Sequence, residues 1–332
     1  MSNGEAITLA AIEELANRVF LDNGCDAANA DALTRTVVAA ERDGSRSHGL
    51  FRVPGYVASL QSGKVDGHAD PAVRRTTPAC VIVDGKSGFA PLAIERGVPV
   101  LAEAATENGI AVMPIVATHH FAALWHETEA LAAYDLAAIA CVNYAPVVAP
   151  FGGNEAIFGT NPISFAWPRP GKPPAVFDMA TAAMAQGEIQ IAARDGFDVP
   201  EGTGLDKDGR TTTDPGEILD GVQLPFGGYK GSAIALMVEL LAGGATGDFF
   251  SYEAVDSIAD GGPARGGELV IAISPERLAG PGWASHSEEF FARFEQIEGA
   301  RLPGAKRHSL RQDENERLVD ASLLERVRSL CR

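Results

Sequence analysis

Apolar residues recur at helical spacing from Thr8 to Asn23, with Leu9, Ile12, Leu15 and Val19 on one side and Phe20 beside them. A 3.6-residue repeat of this kind predicts an amphipathic helix, and Gly24 stops it. The same rhythm predicts a second helix from about Ala27 to Arg42, with Leu33, Val37 and Val38 inside, and a third from about Leu50 to Leu60, before Gly63. Beyond His68-Ala-Asp-Pro71 the period shortens. Compact apolar runs predict strands at 80–85 (CVIVDG), 110–116 (IAVMPIV), 136–144 (LAAIACVNY), 163–168 (ISFAWP), 175–180 (AVFDMA) and 268–274 (ELVIAIS). Helical patterns separate them at 90–108, closed by Gly109, and at 122–134, 182–194 and 232–241; two more end the chain at 285–297 and 321–330. Residues 196–228 are rich in Gly, Pro, Asp and Thr. They are too many for a structureless connection and read as an ordered functional loop region.

The order is a helical start, a mixed α/β middle and a helical end. The first and last helices are expected to pack as one discontinuous helical domain, residues 1–72 with 300–332, beside an α/β domain of residues 73–299. With 332 residues and 46% hydrophobic content the chain can bury a core of that extent. A net charge of −17 argues against nucleic acid and anionic membranes as partners. It leaves room for an anionic cofactor held by a local basic cluster. Cys25, Cys80, Cys141 and Cys331 are scattered without metal-ligand spacing and read as free thiols of a reducing compartment. The N-terminus lacks a basic region before an apolar run, and no stretch of roughly 18 apolar residues occurs. A cytoplasmic protein with no membrane partner is expected.

Candidate chemistry concentrates at residues 41–56, where Ser47, His48 and Arg52 fall within six residues between two helical patterns. An imidazole exchanges protons near neutral pH, and a guanidinium grips a carboxylate with two hydrogen bonds. The set suits protonation of a small acid held by its carboxylate. On spacing alone it also reads as a helix cap beside surface polar groups. No G-x-G-x-x-G follows a strand and no G-x-x-x-x-G-K-[ST] occurs, so a Rossmann domain and a P-loop are both disfavoured; G-x-S-x-G is also absent. His119, His120 and His126 do not have metal-ligand spacing, and no metal is expected. Phe226-Gly-Gly-Tyr-Lys-Gly before a strong helix could form an anion site with Lys230, or be an ordinary helix entry. Lys306, Arg307 and His308 form a basic cluster in an acidic chain: a solvated face, or a phosphate site.

The stretches SRSHGLFRVPGY, HHFAALW, FGTNPISFAWP, VFDMATAAMAQGE, TTTDP and LPFGGYKGSAIALMVELLAG follow one another from residue 45 to 243. Together they resemble the malate/L-lactate dehydrogenase family of NAD(P)-dependent oxidoreductases, which is unrelated to the Rossmann lactate and malate dehydrogenases. The resemblance implies an α/β, non-Rossmann fold with a mixed, largely antiparallel sheet flanked by helices, and a homodimer with active sites near the subunit boundary. His-Phe-Ala-Ala-Leu-Trp at 120–125 is similar to the branch that reduces cyclic imines, the Δ1-piperideine-2-carboxylate/Δ1-pyrroline-2-carboxylate reductases. Hydroxyacid-oxidising members more often show His-Phe-Gly there.

Carried over by motif, the resemblance implies His48 as proton donor, Ser47 beside it in a relay, and Arg52 and Thr160 on the substrate. Cofactor contacts are implied for His120, Phe121, Ala122, Ala123 and Leu124, for Asp178, Met179 and Ala180, for Gln186 and Gly187, and for Tyr229 and Lys230. The segment Gly304, Ala305, Lys306, Arg307, His308, Ser309 and Leu310 is implied to close over the cofactor. Its basic residues suit a 2′-phosphate, which favours NADPH and leaves NADH open. The relay carboxylate of the imine reductases is an Asp where this chain has Glu188, whose reach is one methylene longer. The implied reaction is hydride transfer to C2 of a cyclic imine carboxylate with protonation of its nitrogen, giving L-proline or L-pipecolate. The same groups would also serve a 2-ketoacid/2-hydroxyacid dehydrogenase acting on malate, lactate, ureidoglycolate or a sugar keto acid.

Overall fold

The computed structural model describes residues 4–120, 122–258, 262–312 and 316–332. The chain opens with β1 (Gly4–Ile7), α1 (Leu9–Asp22) and α2 (Ala27–Arg42). Side-chain oxygens of Thr8 and Asp26 cap the two helices by accepting from the Ala11 and Asn29 backbone N–H groups. The third helix, expected from Leu50, begins later, as α3 (Val53–Gln61); residues 46–52 form two short 3₁₀ turns instead. The reason lies at Gly49. Buried Glu41 leans across this residue to accept from the Leu50 N–H at 2.7 Å. A Cβ on Gly49 would stand 2.1 Å from Glu41 Oε1. Glycine is therefore needed there, and the chain turns where an ordinary residue would have continued a helix.

The middle of the chain supplies β2 (Ala72–Thr77), β3 (Cys80–Phe89), α4 (Ala90–Asn108), β4 (Ile110–His119), α5 (Trp125–Ala132), β5 (Ala137–Val142), β6 (Ile163–Trp167) and β7 (Ala175–Met179). Next come α6 (Gln186–Asp195), β8 (Gly204–Leu205), β9 (Thr211–Thr212), α7 (Pro215–Asp220), β10 (Val222–Gln223) and α8 (Tyr229–Val238), which runs into a π-helical turn, Glu239–Ala245. A 3₁₀ segment, Ser251–Ile258, leads to β11 (Arg265–Ile273), α9 (Pro275–Ala279), α10 (Trp283–Glu295), α11 (Ala305–Arg311), β12 (Arg317–Asp320) and α12 (Ala321–Arg328).

Among the described residues the main sheet has seven strands in the order β2-β3-β4-β11-β5-β6-β7. Only β3 and β4, joined through α4, run parallel; every other neighbouring pair is antiparallel. The mixed, largely antiparallel, non-Rossmann sheet expected from the sequence is present. Leu101 and Ala105 of α4 and Leu124 and Leu131 around α5 cover one face, over Val83, Met113, Ile115, Val270 and Ala272. Val238 and Ala242 cover Cys141 and Leu269 on the other.

A second core joins the chain's two ends. Ile12, Val19, Leu33, Val37, Tyr56 and Val57 pack with Leu324 and Val327 of α12 and with Phe89 from β3. Strand β1 pairs with β12, Gly4 opposite Asp320. The segment 196–228 holds the small sheet β10-β8-β9 and α7. The helix expected from Ala182 starts at Gln186, because Ala182 bridges to Pro225 in extended backbone.

Candidate active site

A cavity of about 930 Å³ opens where the turns at 44–52 face the start of α5, the ends of β5 and β7, the start of α6, and α11. That volume suits a cofactor with a small substrate. At its floor His48 Nδ1 lies 3.1 Å from Ser47 Oγ and 3.3 Å from Ser45 Oγ. Arg52 is 8% exposed; its Nε donates to the Ser47 carbonyl at 2.7 Å, and Nη1 reaches Gln190 Oε1 at 3.4 Å. These contacts aim the guanidinium and keep it beside the imidazole. The α6 backbone comes close to both: a Cβ on Gly187 would meet Arg52 Nη2 at 2.6 Å and Ser47 Cβ at 3.0 Å. Burial, then the charges of Arg52, His120 and His126, push His48 down to about 3. The ring is therefore a neutral imidazole at physiological pH.

Thr160 lines the wall beside Asn161, which holds a left-handed φ of 42°. Asn161 is pinned by its Nδ2 donating to buried Glu239 at 2.7 Å. Asp178, at the end of β7, accepts from the Trp125 N–H at 3.2 Å. Burial and the nearby Glu127 charge raise it to about 6 against the pull of that N–H and of Arg307.

Helix α11 forms the far wall. Arg307 Nη2 donates to the Val176 carbonyl at 3.0 Å, and the guanidinium sits 5.0 Å above the Trp125 ring. Its buried Nε has no partner among the described residues. Lys306 lies exposed on the cavity edge. Arg311 anchors the helix from behind, its Nε donating to Asp43 at 2.8 Å and its Nη2 to Glu129 at 2.9 Å. A donor without a partner and a lysine at this wall fit a phosphate group of a nucleotide, while Arg52 at the floor is left for a carboxylate.

The cavity brings together Ser47, His48, Arg52, Thr160, His120, Ala122, Ala123, Leu124, Asp178, Met179, Ala180, Gln186, Gly187, Glu188, Lys306 and Arg307. Glu188 is exposed and, among the described residues, bonds to neither Ser47 nor His48. The relay through it does not form in this structure. Tyr229 and Lys230 lie on an exposed face of α8, outside the cavity lining, with Tyr229 edge-on to Phe151 at 6.3 Å. His308 turns away from the cavity, Nε2 bonding to the Pro174 carbonyl at 3.0 Å. Leu310 packs under Gly44, and Gly304, Ala305 and Ser309 also stand off the lining. Phe121 lies outside the described residues.

Sequence reasoning missed two acids behind His120. His120 Nε2 lies 3.2 Å from Glu127 Oε1 and 3.7 Å from Glu268 Oε2, and all three residues are buried. Glu127 occupies a core position of α5, in line with Leu124 and Leu131; Glu268 shares the inner face of β11 with Val270 and Ala272. A charged residue inside an apolar repeat was the available signal. Burial alone would depress His120, but its bond to Glu127 and the charges of Glu268 and Asp178 raise it above the ordinary value. Burial and Glu127 lift Glu268 to about 8.

The sequence profile of the malate/L-lactate dehydrogenase family matches residues 7–327. A Δ1-pyrroline-2-carboxylate/Δ1-piperideine-2-carboxylate reductase of Pseudomonas syringae pv. tomato is 44% identical over 306 residues, covering 92% of this chain and 89% of its own. A Δ1-pyrroline-2-carboxylate reductase of Ancylobacter novellus is 44% identical over 311 residues, covering 92% and 91%. The crystal structure of Δ1-piperideine-2-carboxylate reductase from P. syringae pv. tomato superposes with a TM-score of 0.92 at 41% identity, over 98% of this chain and 99% of that one. This chain belongs to the malate/L-lactate dehydrogenase family of nicotinamide-dependent oxidoreductases.

Proposed function

We propose that the protein reduces Δ1-pyrroline-2-carboxylate and/or Δ1-piperideine-2-carboxylate to L-proline or L-pipecolate with NADPH. The observation that carries the reading is the buried Arg52 guanidinium held beside the His48 imidazole in one cavity. Two relatives that share nearly the whole chain and carry this activity in their names support it. A nicotinamide held in the cavity would supply a hydride to C2 of the imine. Arg52 grips the 2-carboxylate through two N–H groups and so fixes which face of C2 is presented, an orientation effect. The arriving carboxylate also offsets the guanidinium charge that holds His48 down, so the imidazole gains proton affinity as substrate binds. His48 gives a proton to the ring nitrogen while the Ser47 and Ser45 hydroxyls stand at its Nδ1. General-acid help of this kind is worth roughly 10²–10⁴-fold. Thr160 borders the substrate.

Lys306 and Arg307 take the 2′-phosphate in this reading, which is why NADPH is favoured over NADH. The exposed apolar face of α8 and the following turn, with Tyr229, Leu236, Met237 and Leu240, supports a homodimer. Tyr229 and Lys230 then lie at the subunit boundary. Cysteines that are all free support a reducing compartment such as the cytoplasm.

The assay is loss of NADPH absorbance on adding each cyclic imine acid, with pyruvate and oxaloacetate alongside. Wild-type protein is expected to consume NADPH with the imines, and His48→Ala to lose at least 100-fold in kcat (about the lower bound for a general acid). Faster turnover of the keto acids, or full activity in His48→Ala, overturns the assignment.

A further inference from the structure

The two acids behind His120 have no counterpart in the mechanism above. Glu268 is 0% exposed in the middle of a seven-stranded sheet, and neither of its oxygens has a hydrogen-bond partner among the described residues. Glu127 is equally buried, and its Oε2 is also unpartnered. The donor atoms of His120, Glu127 and Glu268 lie within 4.8 Å of one another. The titratable groups facing this set are His48 on the turn before α3, His126 on α5, Cys141 on β5, Asp178 on β7 and Tyr56 on α3. Among the described residues no lysine or arginine forms an ion pair with either glutamate. Two dry carboxylates with one imidazole between them are uncompensated, and the cost of a second buried charge is relieved when one of them takes a proton.

We propose that Glu268 and Glu127 share one proton behind His120 and release it through the ring of His120 into the cavity, as a store for the proton that each reduction consumes. Its use rests on the reductase reading; its existence does not. In the transfer the shared proton leaves by Glu127 Oε1, 3.2 Å from His120 Nε2: that O–H bond breaks and an N–H bond forms at Nε2, while Glu268 stays behind as its partner carboxyl. The N–H bond at His120 Nδ1 breaks toward the cavity and its proton restores the one that His48 has given to the imine nitrogen, so the net acceptor is that nitrogen, which gains its new N–H bond as C2 gains the hydride. Both electrons come with that hydride, so the store supplies a proton only. Refilling has its own approach. Glu127 also borders a second cavity of about 560 Å³, lined by Arg35, Glu95, His126 and Tyr134, on the side of the wall away from the substrate. Glu127 is 0% exposed, so refilling from that side needs an opening of the α5 wall, which can happen while cofactor and product still occupy the main cavity. Glu127 and Glu268 touch neither, and act through His120.

The store is read directly by infrared spectroscopy of the ligand-free protein at pH 7. Wild type is expected to show the carbonyl stretch of a protonated carboxyl group, absent in Glu268→Gln and fading as pH rises past about 8. Absence of that band in wild type overturns the proposal, as does a stoichiometric first-row metal in the purified protein, because a cation would take the proton's place. Glu127→Gln is the second variant, on the other side of the shared proton; it should move the band if the carboxyls are paired. For the use of the store, both variants should lose about tenfold in kcat at pH 8.5 and little at pH 6, with KM for the imine unchanged. A kcat equal to wild type at every pH overturns the relay and leaves the reductase reading standing. Wild type inactive on imines removes that reading and leaves the infrared result intact.

Discussion

Two residues in the site titrate in opposite directions, and each leaves a mark on stability. His48 sits at about 3 in the folded protein against an ordinary 6.5. Its contribution is complete above pH 6.5 and is lost as pH falls toward 3, because the unfolded chain takes the proton first. Glu268 is the reverse case, about 8 when folded against an ordinary 4.5. Its contribution is complete below pH 4.5 and is lost as pH rises through about 8, since only the folded form keeps the proton in that window. The expected slope is at most about 1.4 kcal/mol per pH unit. Urea unfolding at several pH values between 6.5 and 8, above the range in which His48 pulls the other way, should show the decline in wild type and lose it in Glu268→Gln; equal slopes in the two proteins would sink the assignment. Ser47, His48 and Arg52 were legible from their chemistry and spacing. The charge state of His48 was not, because it depends on burial and on His120 and His126, which arrive from another part of the chain.

At the scale of elements, α11 was legible as a basic stretch but not as a helix. Residues 305–311 carry too few apolar side chains to make a stripe. What holds the helix is charge. Arg311 bridges Asp43, at the end of α2 just before the catalytic turn, and Glu129 on α5, whose start lines the cavity. Three walls of the site therefore meet at one guanidinium. Arg311→Met should let α11 drift, raising KM for NADPH severalfold and leaving KM for the imine near wild type, as steady-state titration of each substrate will show. A matching rise for both substrates would mean that the catalytic turn, and not α11, depends on the bridge. The turn at Gly49 shows a similar limit. The sequence showed glycine near a helix boundary, while the reason for it, a buried glutamate nine residues upstream of Leu50, is a matter of packing.

For the whole molecule, the patterning gave the strands of the central sheet except β2, whose side chains are mostly exposed and lack an apolar alternation. Strand order was beyond it. That β11 inserts between β4 and β5 puts Glu268 opposite Ile115 and Val142, and so next to His120 at the end of β4. Glycine helps here too, since the register slips between Gly266 and Glu268, and a Cβ on Gly267 would stand 1.9 Å from the Ala242 carbonyl. Quaternary structure belongs at this scale as well. A dimer built on α8 predicts that Leu240→Glu sediments as a monomer at micromolar concentration, where wild type sediments as a dimer; a monomeric wild type removes the interface.

The pairing of β1 with β12 bears on how the protein is made. The first strand has no partner until residues 317–320 exist, and the core around Phe20 and Leu33 no lid until Leu324 and Val327 follow. On the ribosome α1 and α2 must therefore wait with apolar faces uncovered until those distant residues emerge. Contacts that span the chain are slow to form and expose surface to aggregation meanwhile. Loss of residues 321–332 would leave α1 and α2 without that cover, while every strand of the central sheet lies within residues 72–273.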